Sequence, residues 1–204
     1  MEHYSYKTIK NSARGFFRDR GSRFLAFSFH VTTEARIQEI LDNLRDEYRT
    51  ASHYCYAWVT GANKDHFRAN DDGEPSGTAG RPVLGQIRKH DLTNILIVVI
   101  RYFGGTLLGT GGLINAYRCA AADVLANSEI ITKTVDELIE VIFPYTAMNN
   151  VMKVLKEERV EQVAKHFDTE CRIRVSIPVE RSERMACRLR SIGNISVNKL
   201  SITY

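Results

Sequence analysis

The chain has 204 residues, with 28 Lys plus Arg against 24 Asp plus Glu and a formal net charge of +4. At roughly 100–200 residues per domain, that length means one large domain or two small ones and excludes a large multidomain enzyme. Hydrophobic residues at 44% and charged residues at 25% are ordinary for a globular protein, and the mild basicity fits a nucleic-acid partner without pointing to one.

The longest apolar run, Ile95–Ile100, is far short of the roughly 20 residues a membrane-spanning helix needs. Met1 to Lys7 contains no apolar signal core, so no secretory signal is expected. Cys55, Cys119, Cys171 and Cys187 form no C-x-x-C pair, which excludes zinc-ribbon and thioredoxin-like sites. Reduced thiols in the cytoplasm are expected, with no membrane partner, no metal and no cofactor.

Taken in order, Phe24–Val31 reads as an aromatic-rich strand. Thr32 or Thr33 is placed to cap a helix over Arg36–Glu47, whose Ile37, Ile40, Leu41 and Leu44 form one apolar stripe. His53–Val59 reads as a strand, stopped by Gly61. A polar, Gly-rich stretch covers Asn63–Gly80, and a helix follows up to His90. Asn94–Tyr102 is apolar on both faces, the pattern of a central strand. Gly104–Gly112 holds five glycines in nine residues and reads as a loop, followed by an Ala-rich helix over Leu113–Asn127.

A second block starts near Lys133. Val135–Tyr145 reads as a strand, followed by a helix carrying Met148, Met152 and Leu155. Val160–Phe167 and Cys171–Val179 read as strands about a turn at Asp168-Thr169-Glu170. Glu180–Ser191 reads as a helix and Ile195–Ile202 as a strand. That β-α-β-β-α-β order is the ferredoxin-like one. The expected fold class is therefore α+β in two domains, 1–131 and 132–204.

Three segments carry chemistry. Asp71, Asp72 and Glu74, on a turn fixed by Pro75, place oxygen ligands of the kind Mg²⁺ takes, or simply favour the positive end of the next helix. Ser76 or Thr78 is placed to cap that helix. Arg101 to Gly112 sets glycines between a strand and a helix, as a phosphate loop or a tight structural turn requires. It is no Walker A loop, since Thr110 stands where Lys is needed, and no dinucleotide fingerprint, since Ile114 replaces the third glycine. His53 and Cys55 share a strand face, which allows a Cys–His pair but supplies no third member.

The basic residues are ordered too. Arg181, Arg184 and Arg188 form one helix stripe, and Arg172 and Arg174 point to one strand face, the open one in a ferredoxin-like sheet. Arg14, Arg18, Arg20 and Arg23 sit beside Phe16 and Phe17. Cations that meet phosphates and rings that stack on bases suit RNA; a solvated surface reads the same way. The RNP1 motif of an RRM is absent.

The run Asp71-Asp72-Gly73-Glu74-Pro75-Ser76-Gly77-Thr78-Ala79-Gly80, followed by Val99-Ile100-Arg101-Tyr102-Phe103-Gly104-Gly105 and Leu108-Gly109, resembles the signature of the IMPACT family. His53-Tyr54-Cys55-Tyr56-Ala57 fits the same family. The resemblance spans the whole chain, in the form of the bacterial members. It implies an N-terminal domain similar to domain 2 of ribosomal protein S5 and a C-terminal domain similar to those of elongation factor G. Eukaryotic members restrain the kinase that phosphorylates initiation factor 2, by competing for its activator. Carried over by position, His53, Asp71, Asp72, Glu74, Ser76, Thr78, Arg101, Gly104, Gly105 and Arg118 form a signature surface, with no established catalytic residue.

The leading expectation is a non-enzymatic protein that contacts RNA, the ribosome or translation factors through Arg172, Arg174, Arg181, Arg184 and Arg188. One alternative is an enzyme acting on a phosphorylated or nucleotide substrate through Asp71–Gly80 and Gly104–Gly112; another is a protein-binding regulator.

Overall fold

A computed structural model describes residues 5–168 and 170–203. The chain divides between Lys133 and Thr134 into two compact units, the first beginning at Tyr6. Among the described residues no helix is long and apolar enough to cross a membrane.

In chain order the first unit runs β1 (Ser5–Ile9), β2 (Ala13–Asp19), β3 (Ser22–His30), α1 (Glu34–Glu47), β4 (His53–Thr60), β5 (His66–Asn70), α2 (Gly80–Lys89), β6 (Ile95–Tyr102), α3 (Gly109–Ala126) and β7 (Ile130–Thr134). Its main sheet has the order β2-β3-β6-β4-β5, antiparallel throughout, and β1 pairs with β7.

Strand alternation deals the residues of this sheet to two cores. Phe27, Tyr56, Trp58, Leu96, Val98 and Ile100 pack under Ile37, Ile40, Leu41 and Leu44 of α1. On the other face Phe24, Ala26, Cys55, Ala57, Ile97 and Val99 pack against Val83 and Ile87 of α2 and Ala116, Tyr117 and Val124 of α3. Covered on both sides, β6 has to be apolar on both, as the sequence pattern says. Thr33 caps α1, its side chain accepting from the Arg36 N–H at 3.4 Å.

Four strands escape the sequence pattern: β1, β2, β5 and β7. β2 and β5 are the edges of the sheet and stay half exposed, so neither needs an apolar alternation. β5 falls inside the stretch expected to be a polar loop. α3 also begins earlier than expected: Gly109–Gly112 are helical rather than loop.

The second unit runs β8 (Asp136–Pro144), a 3-10 turn at Tyr145–Ala147, α4 (Met148–Glu158), β9 (Glu161–Phe167), β10 (Glu170–Pro178), α5 (Val179–Arg190) and β11 (Ser196–Thr203). The expected β-α-β-β-α-β order is observed, in an antiparallel sheet ordered β11-β8-β10-β9. Ile139, Val141, Phe143, Ile173 and Val175 face Val151, Leu155, Met185 and Leu189 of the two helices. Among the described residues of this unit no helix packs on the opposite sheet face, which bears Arg172 and Arg174. The turn expected at Asp168–Glu170 includes Thr169, which lies outside the described residues, as do Met1 to Tyr4 of the opening segment.

Candidate functional site

The register of three strands builds the site. Arg101 of β6 lies between Phe24 of β3 and His53 of β4, so all three side chains share the α2/α3 face. The 71–80 segment folds over this row. Glu74 Oε1 accepts from Arg101 Nη1 at 2.6 Å and from the Tyr117 hydroxyl at 2.8 Å. Both members of the ion pair are buried, at 6% and 4% side-chain exposure for Arg101 and Glu74. The guanidinium also lies 5.6 Å from the ring centres of Phe24 and Phe103. His53 Nε2 approaches Glu74 Oε1 at 4.0 Å, while its Nδ1 is 2.8 Å from the Asp72 carbonyl oxygen.

Cys55 Sγ contacts the Tyr117 oxygen at 3.3 Å and the Asp71 carbonyl at 3.0 Å. Burial first, and the nearby Glu74 carboxylate after it, push the Cys55 thiol up. Burial also pushes the Tyr117 hydroxyl up, reinforced by Cys55 and Glu74. Cys55 is thus a buried thiol bonded away from His53, so the Cys–His pair allowed by their shared strand face is not assembled.

The three clustered carboxylates go to three destinations rather than to one metal site. Asp71 accepts from the backbone N–H groups of Gly77 (2.8 Å), Ala79 (3.0 Å) and Gly80 (2.8 Å). Burial opposes its ionisation, but these donors and the Arg81 charge outweigh it and hold the carboxyl below its ordinary range. Asp72, in the left-handed region at φ 42°, accepts from the Tyr54 N–H at 2.7 Å and faces Arg45 at 3.6 Å. Glu74 goes to Arg101 and Tyr117. Among the described residues no group of three His, Cys, Asp or Glu side chains is arranged to hold a metal ion.

Asp71 also takes the place of the expected helix cap. Thr78 is buried and its hydroxyl donates to the Pro75 carbonyl at 2.6 Å, Ser76 is exposed, and neither caps α2. A carboxylate eight and nine residues upstream does that work, where both the free N–H groups and the helix dipole favour it.

The second Gly-rich segment joins the same cluster. Ser22 Oγ accepts from the Gly104 N–H at 3.2 Å and from Arg101 Nη2 at 3.4 Å. A Cβ on Gly104 would stand 2.0 Å from the Gly21 carbonyl carbon, so only glycine fits there; Gly105, at φ 83°, has open space around it. His53, Glu74, Arg101 and Gly104 therefore meet, with Asp71 and Thr78 at the adjoining helix start. Arg118 stays out of the cluster, exposed on α3 and donating to Asn115 at 2.7 Å. Sequence reasoning missed two members. Tyr117 is a lone hydroxyl inside an Ala-rich apolar stripe, and Ser22 follows the hairpin glycine Gly21; those are the signals that mark them.

In the second unit Arg184 Nη2 and Arg188 Nη1 donate to Glu158 at 3.0 and 2.6 Å, Arg181 donates to the Glu158 carbonyl at 3.3 Å, and Arg188 Nη2 reaches Glu157 at 2.5 Å. Glu158 is 3% exposed. Burial opposes its charge, but Arg188 and Arg184 hold its carboxyl below the usual range. The helix stripe thus serves as counter-charge for a buried carboxylate. On the sheet face Arg174 pairs with Glu140 at 2.9 Å and Arg172 with Glu170 at 2.9 Å. Both arginines line a cavity of about 510 Å³ with Lys165 and His166, and with the acidic Glu140, Asp168 and Glu170.

These features define a class: a two-unit α+β protein in which a buried Glu–Arg–Tyr clasp fastens two Gly-rich segments to one end of a five-stranded antiparallel sheet. Residues 20–125 match the Impact N-terminal domain, and the chain belongs to the IMPACT family. It is 30% identical to IMPACT family member YigZ of Escherichia coli (strain K12) over 183 residues, which cover 89% of this chain and 90% of that protein. It is 35% identical to IMPACT family member YvyE of Bacillus subtilis (strain 168) over 156 residues, 76% of this chain and 72% of that one. A shorter match, 38% over 96 residues, links it to Protein IMPACT homolog of Saccharomyces cerevisiae. A solved structure described as a crystal structure of an hypothetical protein is 26% identical, with a TM-score of 0.76 over 98% of this chain and 99% of that one.

Proposed function

We propose that this IMPACT family member is a cytoplasmic binding protein that contacts RNA, on the ribosome or with translation factors, and catalyses no reaction. In this reading the first domain (1–131) resembles domain 2 of ribosomal protein S5, and the second (132–204) is ferredoxin-like, as in elongation factor G. The supporting observation is exposure. The signature carboxylates serve the fold, whereas on the second unit's sheet face Arg172 and Arg174 stay about half exposed beside Lys165 and His166, although each is paired with a carboxylate, Glu170 and Glu140. Arg181, Arg184 and Arg188 hold Glu158 and offer phosphates only their remaining donors. The test is binding of RNA to the full chain and to an Arg172→Ala/Arg174→Ala variant across salt. Each lost phosphate contact lowers the slope of log K against log salt by about 0.7 for a single strand. Absence of binding to RNA or ribosomes at low salt overturns the reading.

The second reading is an enzyme for a phosphorylated or nucleotide substrate. It is favoured by one observation: Ser22 and Arg101 bring both Gly-rich segments to one place. Thermal shift across nucleotides with Mg²⁺ tests it, and a flat panel contradicts it.

A further inference from the structure

The β2–β3 hairpin of the first unit carries four arginines that form no ion pair among the described residues, although Arg14 shares a cavity with Glu47 of α1. Arg14, Arg18 and Arg23 point to the α1 face of the sheet, and Arg20 sits in the turn at φ 43°. All four are exposed, and none has an ion pair among the described residues. Arg18 and Arg23 are direct cross-strand partners. Like charges in that relation destabilise a sheet. The cost is carried here without a carboxylate to relieve it, in contrast with the arginines of the second unit.

Aromatic rings interleave with these cations. Phe16 is 50% exposed and lies between Arg14 and Arg18 on the same face; Phe17 points the other way, into the core beside Phe24. Arg23 lies 5.0 Å over the Tyr102 ring and Arg14 lies 5.6 Å from the Phe27 ring. Phe16, Arg23, Leu25, Thr50 and Tyr102 line a recess of about 300 Å³. α1 covers the rest of this face and leaves this end open. Alternate residues of a strand are about 6.6 Å apart, so Arg14, Phe16 and Arg18 form a row of cation, ring, cation.

The geometry points to this face as a docking surface for single-stranded RNA, with the arginines on phosphates and Phe16 and the Arg23–Tyr102 pair stacking unpaired bases. It rests on the RNA-binding reading above and adds a site on the other unit. Charge selects the occupant: four exposed cations with no ion pair among the described residues favour a polyanion. The exposed rings select a single strand, because stacking needs bases that a duplex keeps covered.

The test uses the full chain and a labelled single-stranded oligouridine. Arg18→Ala/Arg23→Ala and Phe16→Ala are compared with Arg172→Ala/Arg174→Ala. Phe16→Ala is expected to weaken binding by about tenfold, and the hairpin arginine pair to lower the salt slope by about 1.4. The arginine double variant should keep or raise the melting temperature, since a repulsion is removed. Hairpin variants that bind with wild-type affinity and slope overturn this proposal while leaving the RNA reading intact. A duplex of equal length that binds as tightly overturns the single-strand assignment. Wild-type protein that binds no RNA overturns both.

Discussion

Glu74 and Arg101, 27 residues apart in the chain, meet at 2.6 Å with both side chains buried. Removing one partner leaves the other as an uncompensated buried charge, which costs about 3–5 kcal/mol. Glu74→Ala is therefore expected to lower first-unit stability by that amount in urea unfolding. The chain's only tryptophan, Trp58, is buried in that unit and reports on it. A loss below about 1 kcal/mol would contradict the clasp, because that is the range of exposed pairs.

Asp71 joins the 71–80 segment to α2 through three N–H bonds. Its depressed pKa makes its contribution present above the ordinary carboxylate range and lost as pH falls through its own lower one. Asp71→Ala should cost about 1–3 kcal/mol at neutral pH and flatten the acid limb of the stability profile. Parallel limbs for wild type and variant would show that the charge at the helix start does nothing.

Gly104 and Gly105 are neighbours with different requirements. A side chain at Gly104 collides with backbone at Gly21 and Ser22, whereas at Gly105 only the left-handed φ resists substitution. Gly105→Ala should cost about 1–2 kcal/mol. Gly104→Ala should reach or exceed the roughly 1–3 kcal/mol of ordinary overpacking, because backbone cannot swing aside. Equal losses in urea unfolding would contradict the close approach.

The four thiols should react in order of exposure. Cys187 is exposed, Cys119 half-buried, and Cys55 and Cys171 buried. A thiol reagent should label Cys187 first and reach Cys55 only on unfolding. Labelling of Cys55 in the folded protein should stay negligible as the pH is raised, because burial pushes its thiol up. Rapid labelling of Cys55 in the folded protein would contradict its place in the cluster.

Elements governed by local pattern were legible in the sequence. β6 follows from six apolar residues in a row, α1 from a stripe with Thr33 before it, and the second unit's element order from alternating periods. Edge strands were not: β2 reads Ala-Arg-Gly-Phe-Phe-Arg-Asp, and only hydrogen bonding to β3 makes it a strand. The signature residues were legible as a set but not as a mechanism. Capping rules look for a residue beside the helix, and Asp71 acts from eight and nine residues away. The pairing of Glu74 with Arg101, and of Arg184 and Arg188 with Glu158 on another helix, is created by packing and leaves no mark in spacing. The arginine stripe was visible; its counter-charge was not.

The central claim is that this chain binds RNA through exposed cations while its buried charges serve the fold. The direct measurement is the affinity of the full chain for single-stranded RNA as a function of salt. A linear fall of log K with log salt is expected, with a slope of about −0.7 for each phosphate engaged. Binding that is absent at low salt, or indifferent to salt, would contradict the account.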